Sequence, residues 1–235
     1  TPEEFYDLYC VTAKHLKNVF GDRIKVGGYG HCGFYEFEQD KELCGIGREP
    51  EKIYEFTIEF THGFLRRISE ENVPLDFFSW HTYDHVESNV HYARYAREML
   101  DKYGFTETES ILNEWNYVYG WTGDDWTYSL KKCQELKGAS FVAGAMCVSQ
   151  ALDLDMLMYY DARPGTGMNG IFKANEPLKS YYDYIIFRDL LHLGTYVPTP
   201  YMDDKVYTCC ATDGDAYAMM LTYFDPEDDA EARAL

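Results

Sequence analysis

Helices and short apolar strands alternate along most of this chain, and that rhythm predicts an α/β protein with a parallel sheet. The carrying observation is spacing: segments of helical periodicity are separated by short apolar runs at intervals of roughly 35 to 50 residues, as in βα units. A second observation is that His81, Tyr83, Glu114 and Tyr160 gather where those runs end, the end at which parallel α/β folds keep their functional groups. The third is a hairpin pattern late in the chain that falls outside the rhythm.

Taken in order, Thr1-Pro2-Glu3-Glu4 is a capping-box pattern with proline at the first helical position, and Phe5, Leu8, Tyr9, Thr12, Leu16 and Val19 form the expected apolar face. Ile24-Lys25-Val26 reads as a strand ending at Gly27-Gly28, followed by a long Gly-rich aromatic loop to Gly47. The glycines from Gly27 to Gly33 lack the Gly-Lys-Ser/Thr ending of a phosphate loop, and no helix directly follows them. A helix over 51–70 places Ile53, Phe56, Phe60, Phe64 and Ile68 at helical spacing. Pro74 breaks into a strand over 75–80, with His81, Thr82 and Tyr83 at its exit. A helix over 88–103, closed by Gly104, precedes the strand that ends at Glu114. Helical pattern then occupies 125–152, with a break at Gly138, before a strand over 156–160 and a helix over 182–193. The hairpin pairs 206–208 with 216–224 around Asp213-Gly214-Asp215, and the acidic end, 225–235, has no strand pattern. There is no internal repeat.

Composition excludes several classes of function. The chain has 235 residues, of which 46% are hydrophobic and 17% aromatic, enough for a sizeable core. Its formal charge of −19, from 40 acidic against 21 basic residues, repels nucleic-acid phosphates and anionic membrane surfaces. Neither nucleic acid nor membrane is therefore an expected partner. No apolar run approaches the roughly 20 residues of a membrane helix, and the first residues do not read as a signal peptide. Seven cysteines without a Cys-x-x-Cys pair make neither a zinc site nor a disulfide framework, and their reading as buried thiols favours a reducing compartment. His81, His85 and His91 span a strand exit and a helix start, a poor arrangement for a metal, so no metal or cofactor is expected.

The chemistry concentrates in Ile111-Leu112-Asn113-Glu114-Trp115-Asn116, where one carboxylate leaves an apolar strand for a loop bearing Tyr117, Tyr119, Trp121 and Trp126. Aromatic rings pack against the C–H faces of sugars, and glycoside hydrolysis uses a pair of carboxyl groups to stabilise an oxocarbenium-like transition state. A glutamate at a strand end can equally be a surface ion-pair partner. Four strands cannot close a barrel, but the exits line up as they would in part of a (β/α)₈ barrel, which takes about 250 residues in full.

These residues resemble glycoside hydrolase family 39, the β-xylosidase and α-L-iduronidase family of retaining (β/α)₈ hydrolases. Ile24-Lys25-Val26-Gly27-Gly28 looks like its fifth strand, Phe77 to Tyr83 its sixth, and Leu112-Asn113-Glu114-Trp115-Asn116 its seventh, which carries the nucleophile. Met158-Tyr159-Tyr160-Asp161 sits where the eighth strand presents a Trp platform. Gly170-Ile171-Phe172, Tyr181-Tyr182 and the hairpin resemble the return into the accessory β-sandwich.

The resemblance implies strands 5–8 of a TIM barrel over residues 1–195 and part of a β-sandwich over 196–235. It also implies a retaining β-xylosidase-like hydrolase acting on an oligosaccharide or glycoside substrate. Glu114 would be the nucleophile, Tyr83 would hold it, and His81, Trp115 and Tyr160 would contact the sugar. Two departures accompany this. The family's acid/base lies in an Asn-Glu pair upstream of the first helix, so the chain reads as a fragment, inactive alone, that needs the missing barrel half or self-association. Tyr160 stands where Trp is expected. Glu114 read as the acid/base would leave no nucleophile strand downstream. Another retaining glycosidase of the same clan, acting on glucosides, arabinosides or uronides, and a non-catalytic carbohydrate-binding remnant are the alternatives.

Overall fold

A computed structural model of the chain describes residues 1–32, 50–165, 167–199 and 205–227. The order is α1 (Pro2–Phe20), β1 (Gly27–Cys32), α2 (Pro50–Glu70), β2 (Phe77–Tyr83), α3 (Val86–Lys102), β3 (Glu109–Asn116), α4 (Gly123–Lys132), α5 (Leu136–Ser149) and β4 (Met156–Tyr159), then β5 (Phe172–Lys173), β6 (Glu176–Pro177), α6 (Lys179–Leu193), β7 (Thr195–Val197), β8 (Val206–Thr212) and β9 (Tyr217–Tyr223). Strands β1 to β4 form one sheet in sequence order. β1 and β2 pair in parallel. Bonds from Asp155 N–H to Ser110 O and from Tyr160 N–H to Trp115 O advance equally along both chains, so β3 and β4 are parallel too. The α/β class with helices between sheet strands is therefore present. No described helix is long and apolar enough to cross a membrane.

The chain divides into two compact units. The first comprises residues 1–82, 92–113 and 154–157. Its opening helix forms as expected: Thr1 caps it, Glu4 reaches back, and Pro2 occupies the first position. The expected apolar face is rotated, because Tyr6, Cys10 and Ala13 are buried while Leu8 and Val19 are exposed. Tyr6 O–H donates to Phe60 O at 2.7 Å and Tyr9 O–H to Pro74 O at 3.0 Å, while the rings of Tyr6 and Tyr9 pack on Phe64, so aromatic packing and tertiary hydrogen bonds together orient α1. On α2, Phe64 and Ile68 are fully buried as their spacing predicts, whereas Phe56 is exposed.

The strand expected over 24–26 lies later, at Gly27–Cys32, inside the segment read as loop. Gly27 pairs with Phe77, and a Cβ there would stand 2.0 Å from Phe77 O, so only glycine lets the two strands meet. The remainder of the expected loop, to Gly47, lies outside the described residues. Phe78, Trp80 and Leu112 are fully buried, and Trp80 Nε1–H donates to Ser110 Oγ at 3.0 Å.

The second unit comprises 83–91, 114–153 and 158–235. α5 is buried along nearly its whole length, which suits a helix apolar all round. It packs against α6 and against β8 and β9, and Phe141 meets Tyr117 and Phe224 at ring centroid distances of 5.8 and 5.6 Å. The helical pattern over 125–152 is two helices, parted at Cys133–Glu135 and not at Gly138, which lies within α5. The first strand of the hairpin, β8, runs four residues past its expected end, the second, β9, lies within its expected limits, and a third antiparallel strand, β7, joins in the order β7-β8-β9. Tyr207, Cys209 and Ala211 alternate inward on β8. Asp213 Oδ1 accepts from the N–H groups of Asp215 and Ala216, closing the expected turn.

Candidate active site

The site lies in the second unit and is built around Glu114 on β3. Successive strand residues point to opposite faces, so Glu114 and Trp115 part company. Glu114 is half-buried, and Tyr83 O–H donates to its Oε2 at 2.6 Å. Such a bond to an ionised acceptor is short and strong, and it sets the carboxylate's orientation. Trp115 is only 1% exposed, its ring packed 5.3 Å from Tyr159 and 6.0 Å from Phe141. The expected substrate contact at Trp115 is thus corrected: its indole belongs to the core. Strand parity applied to the sequence would have separated it from Glu114.

Tyr160 follows β4, next to the end of β3. Its N–H donates to Trp115 O, and its carbonyl accepts from Asn116 Nδ2 at 2.7 Å. The same Nδ2 donates to Met168 O at 2.8 Å, while Asn116 Oδ1 accepts from Tyr117 N–H and Tyr159 O–H. Buried Asn116 therefore clamps the exits of β3 and β4 and the loop beyond. Sequence reading missed it, because three of its four partners, Tyr159, Tyr160 and Met168, lie more than 40 residues along the chain. The Tyr160 ring meets Tyr83 edge-on at 6.4 Å. Arg163 lies over the Tyr160 ring at 5.7 Å and donates to its hydroxyl at 3.1 Å. Arg163 is also joined to Asp161 Oδ2 through Nε at 2.9 Å and Nη2 at 2.6 Å, which neutralises its charge locally.

The loop between β3 and α4 supplies further rings. Trp121 meets Tyr83 at 5.3 Å, edge to face, and stacks on Trp126 at 5.5 Å with the planes 15° apart. Buried Ser129 holds this loop: its Oγ accepts from Tyr119 N–H and Gly120 N–H and donates to Asp125 O at 2.7 Å. Three other carboxylates in this unit have structural partners. Asp84 accepts from Ser88, Glu87 from Tyr207, and Asp161 pairs with Arg163. His81 belongs to the first unit, where it pairs with Cys32 across the sheet, and its Nε2 stands 3.5 Å from where a Cβ on Gly30 would lie. The structure therefore brings together Glu114, Tyr83 and Tyr160 of the expected residues, and adds Asn116, Trp121 and Arg163. Among the described residues no three His, Cys, Asp or Glu side chains converge as a metal site requires.

Comparison with solved structures identifies the fold. A glucosidase from Croceicoccus marinus superposes with a TM-score of 0.68 at 22% identity, over 95% of this chain and 44% of that one. A GH39 β-xylosidase from Caulobacter crescentus gives 0.61 at 18%, over 92% and 42%. An arabinofuranosidase gives 0.54 at 16%, over 93% and 42%. The chain thus shares a glycosidase fold and spans less than half the length of each of these structures. No family model matches it.

Proposed function

We propose that this chain carries the nucleophile-bearing part of a retaining glycoside hydrolase that cleaves O-glycosidic bonds by double displacement, acting on β-xylosides such as xylo-oligosaccharides. The observation that carries the reading is the 2.6 Å hydrogen bond from Tyr83 O–H to Glu114 Oε2. It ties the Glu114 carboxylate to Tyr83, whose ring meets those of Tyr160 and Trp121. In this mechanism a Glu114 oxygen bonds to the anomeric carbon as the bond to the leaving oxygen breaks, and a second carboxylic acid protonates that oxygen. Water activated by the same acid then releases the sugar with retained configuration. Tyr83 keeps the nucleophile aligned. The second acid, about 5 Å from Glu114 in a retaining site, comes from residues outside this chain, and the chain holds strands 5–8 of the barrel.

Among substrates, a uronide would ask for a cation in the site. Arg163 stands there, but its pairing with Asp161 supports a neutral sugar.

The test is intact-protein mass of the full-length chain after incubation with a 2-fluoro xyloside bearing a good leaving group. A single adduct, lost in Glu114→Gln, is the expected result. An adduct that persists in Glu114→Gln would assign the nucleophile elsewhere, and no adduct would count against a xyloside-cleaving site.

A further inference from the structure

Two aromatic surfaces flank Tyr83, and they differ in what they offer a sugar. Tyr160 is fixed at the end of β4, beside the strand that carries Glu114, which suits the ring captured by the nucleophile. Trp121 lies further out on the loop after β3, 37% exposed although it is among the largest apolar side chains. A large ring left open to water on a well-ordered loop costs hydrophobic free energy unless a partner covers it in use. The loop's order is visible in Ser129, whose hydroxyl holds Tyr119 and Gly120. It is visible again at Gly120, where a Cβ would meet Asp125 Cβ at 2.6 Å. Trp126 backs Trp121 in a near-parallel stack and Tyr83 braces it edge-on, so its orientation is set before any ligand arrives.

We propose that Trp121, backed by Trp126, is the stacking wall for the leaving-group sugar, the ring expelled as Glu114 captures its neighbour. This rests on reading Glu114 as the nucleophile of a glycosidase. The ligand class is a neutral oligosaccharide of at least two rings: one sugar engages Tyr160, and the next lays its C–H face on Trp121. The acidic character of the chain, at −19, and the compensated charge on Arg163 both disfavour an anionic ring at this subsite.

The experiment is calorimetric titration of the full-length chain with xylose and with xylobiose, in a Glu114→Gln background so that nothing turns over. Adding Trp121→Ala should weaken xylobiose binding roughly tenfold and leave xylose within about twofold, as expected for loss of one stacked aromatic contact. Trp121→Tyr, which keeps a ring and guards against misfolding of the loop, should retain most of the disaccharide affinity. Equal losses for both sugars would place Trp121 at the captured ring and overturn the assignment. Unchanged xylobiose binding in Trp121→Ala would overturn it while leaving the glycosidase reading intact. If neither sugar binds the parent, both fall together.

Discussion

At the scale of single residues, the function rests on how Glu114 is held. A hydrogen bond to a charged group is worth about 1.5 to 3 kcal/mol, and Tyr83 makes one to Glu114. Tyr83→Phe should therefore slow formation of the 2-fluoro xylosyl adduct roughly ten- to hundredfold, because the carboxylate loses its orienting donor, while sugar affinity changes little. Timed mass spectra of the adduct check this, and an unchanged labelling rate would remove Tyr83 from the mechanism. Glu114 was legible in the sequence because a carboxylate between an apolar run and a cluster of rings is a local pattern. Trp115 was misplaced for the opposite reason: adjacency in sequence reads as adjacency in space, yet the pleat sends neighbours to opposite faces. Asn116 was not legible in this way, since its partners Tyr159, Tyr160 and Met168 reach it only in the fold.

At the scale of elements, glycines decide where helices and strands can meet. Gly138 lies in the first turns of α5, where alanine would be favoured by about 1 kcal/mol on helix propensity alone. A Cβ there would stand 2.4 Å from Cys133 O, however, and overpacking of that kind costs about 1 to 3 kcal/mol. Gly138→Ala should therefore lower the unfolding free energy by about 1 kcal/mol in urea titrations, against the propensity, and a gain in stability would show that the α4–α5 junction yields.

On α6, burial pushes the Asp183 carboxyl up to about 7 from an ordinary 3.8, and its Oδ2 makes no hydrogen bond among the described residues. The folded state thus holds a proton that the unfolded chain gives up near pH 4. Stability from this group is full below about pH 4, declines as pH rises, and is lost above about 7. Asp183→Asn removes the dependence, so its melting midpoint should exceed the parent's at pH 8 and converge with it near pH 4. Partial exposure of the side chain holds the expected gain to about 1–2 kcal/mol. Equal midpoints at pH 8 would place Asp183 in water. Boundaries followed the same division: capping at Thr1 and Pro2 is a local signal and was readable, whereas β1 at Gly27–Cys32 runs through residues of poor strand propensity and exists because β2 pairs with it.

At the scale of the whole molecule, the net charge of −19 is a repulsive load on the compact state. Only local cations offset it, such as Arg67 against Glu3, Asp7 and Glu71, and exposed pairs of this kind contribute little. Raising ionic strength from about 0.02 to about 0.5 M should therefore lift the melting midpoint by a few degrees as screening relieves the repulsion. A midpoint that falls with salt would mean that the ion pairs outweigh the net charge. The sequence by itself determined the alternation of helices and strands, the helix cap, the closing turn and the carboxylate at a strand exit, because each depends on residues near one another in the chain. Only the tertiary structure decided that the rings of Tyr160 and Trp121 meet that of Tyr83, and that Asn116 clamps two strand ends. Those outcomes depend on sheet parity and on partners brought together from distant parts of the sequence, where no local pattern records them.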